Sequence, residues 1–236
     1  MVRLAALLGS LLIAAAPASA CRLALVLAID VSNSVDQAED ALQRQGLAAA
    51  LTAPEVQAAF FVSPEPVALF VFEWSGRYHQ DVVLEWTTIT APQVLTDAAD
   101  TISRSVRQTR DFPTAMGYAL GYASLRLLDQ QQCVAKTIDV AGDGRNNDGF
   151  GPSSAYKAYP FDGVTVNGLV VDASILATRD QLIDFYESTV IRGPGAFVEV
   201  ADGFADYERT MRRKLVRELL SQVVGQASGA QTPGAG

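Results

Sequence analysis

The sequence predicts an α/β fold: a three-layer, doubly wound, mostly parallel six-stranded sheet with one antiparallel edge strand and helices on both faces. Three observations predict it. The run Leu23–Ile29 is apolar without alternation, as in a strand that is covered on both faces of a sheet. Strand-like segments alternate along the chain with segments of helical periodicity. Two successive strand-like runs are joined by only a few residues, which is typical of a hairpin.

The first half of the chain predicts three strands and three helices. After the strand at Leu23–Ile29, Asp36 and Glu39 form a capping box, so a helix is predicted from there to about Leu51. The runs Val67–Gly76 and Gln80–Thr87 are the two strands of the hairpin. Helical spacing then predicts two helices, with apolar positions Leu95, Ala98, Ala99, Ile102 and Val106 in one and Met116, Ala119, Leu120, Ala123 and Leu127 in the other.

The second half predicts three more strands and two more helices. The segment "VAKTIDVAGDG" is a strand that ends at Asp143, and Val164–Asp172 is another. Thr178 with Gln181 indicates a capping box before a helix that runs to about Thr189. The segment "AFVEV" is the last strand, and a final helix is predicted from Phe204, Met211, Leu215 and Leu219.

The chain is divided into a signal, one domain and a tail. Residues 1–20 combine Arg3, an apolar core and the small residues of "ASA", as secretory signal peptides do. Residues 21–224 are predicted to form one domain, and residues 225–236, rich in Gly, Ala and Ser, a disordered tail. We therefore expect a protein of the periplasm or the secreted fraction. A lipid anchor on Cys21 is the less favoured alternative, because "ASA" lacks the bulky aliphatic residue of lipoprotein signals.

The net charge argues against a nucleic-acid partner, and the lengths of the apolar runs argue against a membrane span. The formal net charge of -8 repels phosphate backbones, so nucleic acid is not expected to bind. Beyond the signal, no segment approaches the roughly 18 consecutive apolar residues of a membrane span. We expect the chain alone to be monomeric.

Polar residues follow two of the predicted strands. Asp30, Ser32 and Ser34 come directly after the first strand, and Asp143 ends the fourth. In open sheets of this kind ligands bind beyond the carboxyl ends of the strands, where the strand order reverses. Two carboxylates in one cleft repel each other unless a cation or a shared proton lies between them. Hydroxyls beside carboxylates suit Mg²⁺, which takes six oxygen ligands.

These residues carry a resemblance to a known family. Asp30-Val-Ser32-Asn-Ser34, the Thr114 that opens "TAMGYAL" and the Asp143 of "VAGDG" resemble the von Willebrand factor A (vWA) family with its metal-ion-dependent adhesion site (MIDAS). Asn33 stands where a Gly is often found, and "DFP" precedes Thr114 where a Gly is more usual, but every oxygen ligand is kept. The whole chain, including "EWSG" and "GDGRNNDG", resembles an exported proteobacterial subgroup of this family, DUF1194.

The resemblance implies a vWA/Rossmann-like fold, a metal site and no reaction. The implied metal ligands are Asp30, Ser32, Ser34, Thr114 and Asp143. The implied cofactor is Mg²⁺, with Mn²⁺ or Ca²⁺ as alternatives. The implied partner is a protein that presents an acidic residue to the metal.

The two cysteines are predicted to form a disulfide bond. Cys21 lies nine residues before Asp30 and Cys133 ten before Asp143, so both fall about 30 Å back along neighbouring strands at about 3.3 Å per residue. Neighbouring strands lie about 4.8 Å apart, a separation that a disulfide bridges. We therefore predict a Cys21–Cys133 bond at the end of the sheet opposite the metal site.

Two other functions remain open from the sequence. The first is a Mg²⁺-dependent hydrolase of phosphate esters with Asp30 as nucleophile, although Ser32 stands where such enzymes need an acidic proton donor. The second is a structural scaffold whose site binds nothing. We predict no enzyme. The sole histidine, His79, lies in the hairpin with no nucleophile motif near it, and "GDGRNNDG" is interpreted as a polar turn at the rim of the site.

Overall fold

The computed structural model describes residues 21–108, 110–173 and 179–229. The strands are β1 Cys21–Asp30, β2 Val67–Trp74, β3 Gln80–Ile89, β4 Cys133–Gly142, β5 Val164–Val171 and β6 Val198–Ala201. The helices are α1 Gln37–Thr52, α2 Pro54–Phe60, α3 Pro92–Arg104, α4 Met116–Arg126, α5 Pro152–Ala158, α6 Arg179–Phe185 and α7 Tyr207–Gly229. The predicted signal peptide, the residues beyond Gly229 and Thr178 of the second capping box lie outside the described residues.

The sheet has the predicted architecture. Its strand order is β3-β2-β1-β4-β5-β6, in which only the hairpin pair β2 and β3 is antiparallel. β1 is parallel to both of its neighbours, and all ten of its residues are buried. The unbroken apolar run is therefore explained by its place in the middle of the sheet, where neither face meets water.

Helices cover both faces of the sheet and make two separate cores. From Leu23 onward, odd-numbered residues of β1, such as Leu25 and Leu27, pack with α1, α2, α3 and α7. Even-numbered residues, such as Val26 and Ala28, pack with α4, α5 and α6. Because side chains alternate along a strand, the side chain of Asp30 faces the α4 side. This parity decides which loops can reach it.

The order of the strands creates a crevice between β1 and β4. The chain proceeds from β1 outward to β2 and β3, then crosses back to place β4 on the other side of β1. The loops after β1 and β4 consequently diverge above neighbouring strands, which is where open α/β sheets bind ligands. Asp30 ends β1, and Asp143 follows β4 directly.

The capping box that was predicted for α1 is present. The Asp36 side chain accepts hydrogen bonds from the backbone N–H of Ala38 at 2.7 Å and of Glu39 at 2.9 Å. The Glu39 carboxylate in turn accepts from the backbone N–H of Asp36 at 2.8 Å. This cap begins the helix immediately after the turn that carries the serines, so it fixes where that turn ends.

Several element boundaries differ from the prediction. α3 ends at Arg104, so Val106 is not part of it, and the Val106 side chain is 68% exposed. The short helices α2 and α5 were not predicted, since seven residues each give too little periodicity. α6 is followed by a π-helical turn, Tyr186–Val190, rather than by more α-helix. α7 continues to Gly229, into the segment 225–236 that composition assigned to a tail.

The helices in the described part of the chain are all too short or too polar to span a membrane.

The predicted disulfide bond is confirmed: Cys21 and Cys133 are bonded, with their Cα atoms 4.3 Å apart. The two residues are direct partners in the parallel register of β1 and β4. The bond therefore joins the two strands at their first residues, at the opposite end from the crevice.

Removing the disulfide should destabilise the protein markedly, because it closes a loop of 112 residues in the unfolded chain. We expect the double variant Cys21→Ala, Cys133→Ala to lose about 2 to 5 kcal/mol of unfolding free energy in urea titrations. The intact mass of the unsubstituted protein should not change on alkylation without reductant. Two alkylated thiols, or a double variant as stable as the parent, would contradict this prediction.

Candidate metal centre

The five residues implied by the resemblance converge at the crevice. The Ser34 hydroxyl donates to Oδ1 of Asp143 at 2.8 Å and shares a hydrogen bond of 3.2 Å with the Ser32 hydroxyl. The Thr114 hydroxyl donates to Oγ of Ser32 at 3.1 Å. The backbone N–H of Ser32 donates to Oδ1 of Asp30 at 2.8 Å. Loops from three distant parts of the chain therefore form one connected oxygen cluster.

The cluster is buried on one side and open on the other. Asp30, Ser32 and Thr114 are almost fully buried, at 0%, 0% and 2% exposure. Ser34 is exposed and Asp143 is half-buried. A ligand would therefore approach from the side of Ser34 and Asp143, with Asp30 at the base.

The two carboxylates oppose each other's ionisation. Burial, and then the charge of nearby Asp143, raise the pKa of Asp30 to about 8. Burial also raises the pKa of Asp143. The positive charge of Arg107 lowers the pKa of Asp30, but by less than burial and the charge of Asp143 raise it.

The atoms present fit a small, hard cation. Oδ2 of Asp30 is buried and has no hydrogen-bond partner among the described residues, so a buried carboxylate oxygen is left to be satisfied. Two carboxylates and three hydroxyls form an oxygen-only set, which suits Mg²⁺, Mn²⁺ or Ca²⁺ better than softer metals. No group of three or more His, Cys, Asp or Glu side chains suited to a metal occurs in the described part of the chain, so hydroxyls would have to complete the set.

A model of the family described as "Protein of unknown function (DUF1194)" matches residues 20–223. The chain belongs to the DUF1194 family. A comparison with curated proteins returned no match.

Solved structures similar to this DUF1194 protein share its fold. Proximal thread matrix protein 1 from the mussel byssus has a TM-score of 0.61 and 15% identity, over 85% of this chain and 48% of that one. A second structure of that mussel protein, described as having a zinc-occupied MIDAS motif, has a TM-score of 0.58 and 15% identity, over 85% and 46%. A von Willebrand factor type A structure from Catenulispora acidiphila has a TM-score of 0.57 and 18% identity, over 84% and 43%.

These comparisons establish the vWA fold of the DUF1194 protein. The chain spans less than half the length of each of the three solved chains. At identities of 15 to 18% the likeness concerns the arrangement of the backbone, which agrees with the sheet order described above.

The serine turn, the segment between β1 and α1 that carries Ser32 and Ser34, is held through its backbone atoms, by contacts that no local sequence pattern indicates. The Arg107 guanidinium donates to the carbonyl oxygens of Val31, of Ser32 at 3.1 Å and of Val35 at 2.7 Å. The N–H of Asn33 donates to the carbonyl oxygen of Phe112 at 2.8 Å. The turn between β1 and α1 is thus tied to the segment that precedes Thr114.

The segment "GDGRNNDG" does more than form a polar turn. Oδ1 of Asn147 accepts from the N–H of Thr114 at 2.8 Å, and the N–H of Asn147 donates to the carbonyl oxygen of Thr114 at 3.0 Å. Oδ1 of Asn146 accepts from the N–H of Gly117 at 3.2 Å, at the start of α4. Two consecutive asparagines therefore hold the Thr114 loop against the Asp143 loop.

His79 and Asp148 have structural partners close to the site. The His79 ring packs against the Phe112 ring, with centroids 3.7 Å apart. Asp148 forms an ion pair with Arg77 at 2.7 Å. Both contacts brace the loops that surround the cluster.

The raised pKa of Asp30 predicts how stability depends on pH. Between the pKa of an unfolded aspartate, near 4, and about 8, the folded protein holds a proton that the unfolded chain has lost. Stability of the metal-free protein therefore falls as pH rises through this range. Asp30→Asn, which has no charge to bury, should be more stable than the parent in chelator, by a margin that grows from about pH 4 to about pH 8.

Urea titrations of parent and variant in chelator, at several pH values across that range, measure this margin. A margin that does not change with pH would contradict the placement of Asp30 beside Asp143 in a buried cluster.

Proposed function

We propose that this protein is an exported, non-enzymatic binding module that holds a divalent cation and uses it to bind an acidic group of a protein partner. The observation that carries the proposal is the oxygen cluster with the unsatisfied Oδ2 of Asp30 at its base. Mg²⁺ is the favoured ion, with Mn²⁺ or Ca²⁺ as alternatives. The proposed ligands are Asp30, Ser32, Ser34, Thr114 and Asp143.

In such a site the carboxylates would supply charge, and the hydroxyls would supply neutral ligands and hold the loops in position. Asp30 and Asp143 supply negative charge, and their mutual repulsion favours binding of a cation. The three hydroxyls supply neutral oxygens and, through their hydrogen bonds, keep the loops together before a cation arrives. A bound divalent cation would supply the positive charge and the open coordination position that a partner's carboxylate needs.

The shape of the cluster supports a surface contact rather than an enclosed reaction. Ser34 and Asp143 lie on the accessible side, so a side chain from another protein can approach without an opening movement. A partner carboxylate would otherwise meet a chain with a formal net charge of -8. The interaction should consequently depend on the metal for its attraction as well as for its geometry.

Other observations support export and an interaction role. The Cys21–Cys133 disulfide is typical of proteins in oxidising compartments, in agreement with a signal peptide at residues 1–20 and a place in the periplasm or outside the cell. The similar mussel protein is described as carrying a zinc-occupied MIDAS motif. For a phosphate-ester hydrolase, the position of the proton donor is held by Ser32, which is buried and hydrogen-bonded to Ser34 and Thr114.

Divalent cation should stabilise the folded protein. At a hundredfold excess over its dissociation constant, Mg²⁺ should raise the free energy of unfolding by about 2.7 kcal/mol, since it binds only the native state. Thermal melts with Mg²⁺ and with EDTA measure the shift. Asp143→Asn should lose it, whereas Asp162→Asn, which removes an exposed charge away from the cluster, should keep it. An equal shift in both variants would contradict the proposed site.

The partner's acidic group can be tested with defined peptides. Random peptides displayed on phage, captured by immobilised protein in Mg²⁺ and eluted with EDTA, should become enriched in Asp or Glu at one position. A synthetic peptide of the selected sequence should bind about tenfold or more weakly when that acid is changed to its amide. Asp143→Asn protein should select no such peptides. Peptides that remain bound in EDTA, or that tolerate the amide, would contradict this function.

A further inference from the structure

Tyr186 occupies an unusual place in the fold. It begins the π-helical turn Tyr186–Val190 that interrupts the path from α6, and its side chain is 0% exposed. Its hydroxyl is buried and has no hydrogen-bond partner among the described residues. A buried hydroxyl without a partner is costly, so its retention in the core calls for an explanation.

Two glycines on neighbouring strands make room for this ring. A Cβ atom on Gly168 of β5 would lie 2.6 Å from Cδ1 of Tyr186, and one on Gly142 of β4 would lie 2.8 Å from the Tyr186 hydroxyl oxygen. Real Cβ atoms do not approach other atoms so closely. Any other residue at these positions would therefore have to displace the phenol.

The phenol that fills this space ends beside the proposed metal ligand Asp30. The same Cβ position on Gly142 lies 2.9 Å from Oδ2 of Asp30. Oδ2 of Asp30 and the Tyr186 hydroxyl thus lie within about 3 Å of one point, and neither has a hydrogen-bond partner among the described residues. One is a donor and the other an acceptor, at a spacing that a single water can bridge.

We propose that Tyr186 is a positioning residue of the metal centre, whose hydroxyl donates, through one water, to Oδ2 of Asp30. The inference rests on the proposed metal site and identifies a buried residue that acts on the ligand Asp30 without contacting the metal itself. Side chains that hydrogen-bond to metal ligands orient them and tune their affinity for the ion. A neutral donor at this place supports the ionised carboxylate without adding a competing positive charge.

The neutral donor also accounts for the glycines. A side chain at Gly168 would push the phenol away from Asp30 without approaching any of the five proposed ligands, whereas one at Gly142 would also collide with Asp30. The affinity of the site for metal should therefore depend on Gly168, although Gly168 acts only through the position of Tyr186.

The test compares two buried tyrosines. Tyr186→Phe keeps the ring and removes only the hydroxyl. Tyr207→Phe is the matched control, because Tyr207 is also 0% exposed with a partnerless hydroxyl among the described residues, but it packs in the core on the other face of the sheet. Mn²⁺ affinity is measured from the electron paramagnetic resonance signal of the free ion, and stability of the metal-free protein from thermal melts in EDTA.

We expect Tyr186→Phe to weaken Mn²⁺ binding about tenfold or more, and Tyr207→Phe to leave it unchanged. In EDTA, Tyr207→Phe should melt at or above the temperature of the parent, because it loses a buried hydroxyl that has no partner among the described residues. Tyr186→Phe should still melt cooperatively in EDTA, which shows that its loss of Mn²⁺ affinity does not come from unfolding. Gly168→Ala provides a second variant: it should also weaken Mn²⁺ binding by displacing the ring, and it decides the matter if Tyr186→Phe does not fold.

Three outcomes would overturn the inference. Unchanged Mn²⁺ affinity in Tyr186→Phe would show that the hydroxyl does not act on the site. Equal losses of affinity in Tyr186→Phe and Tyr207→Phe would point to a general effect on the core. A parent protein that binds no Mn²⁺ would overturn the proposed function and this inference together, whereas the first two outcomes leave the proposed function intact.

Discussion

Parallel pairing of β1 with β4 brings the carboxylates of Asp30 and Asp143 to the same end of the sheet. Both strands are held there because each is hydrogen-bonded to a neighbouring strand on both edges. Burial then makes their negative charge expensive, which is expressed in the raised pKa of Asp30. The hydroxyls, the loop contacts and the proposed cation each stabilise a site in which two carboxylates are held close together.

The disulfide and the oxygen cluster lie at opposite ends of the same strand pair, β1 and β4. The pairing that sets Cys21 beside Cys133 continues without a shift to Ile29 beside Ala141. A covalent bond at the first pair therefore opposes slippage at the last, one position before Asp30. At the site itself, the serine turn and the Thr114 loop are held through backbone atoms, by Arg107 and Asn147, so the side-chain oxygens stay available for a ligand.

The sequence predicted what depends on local pattern. The buried run of β1, the hairpin and the Asp36–Glu39 capping box follow from periodicity and turn chemistry, and the bond between Cys21 and Cys133 from strand spacing. Sequence could not predict the contacts that hold the loops of the site together. Nothing local marks Asn147 as the partner of Thr114, or Gly142 and Gly168 as the space for Tyr186, because each depends on a neighbour that only the fold supplies. Short α2 and α5 were missed for lack of periodicity.

Whether one divalent cation joins the three loops can be measured most directly in a crystal grown with Mn²⁺, where anomalous scattering locates the ion. We expect a single strong peak within coordination distance, about 2.1 Å, of oxygens from the serine turn and in contact, directly or through one water, with Asp30, Thr114 and Asp143. A peak bound by residues of one loop only, or an ion found elsewhere on the protein while these side chains bond to each other, would contradict the proposed metal centre.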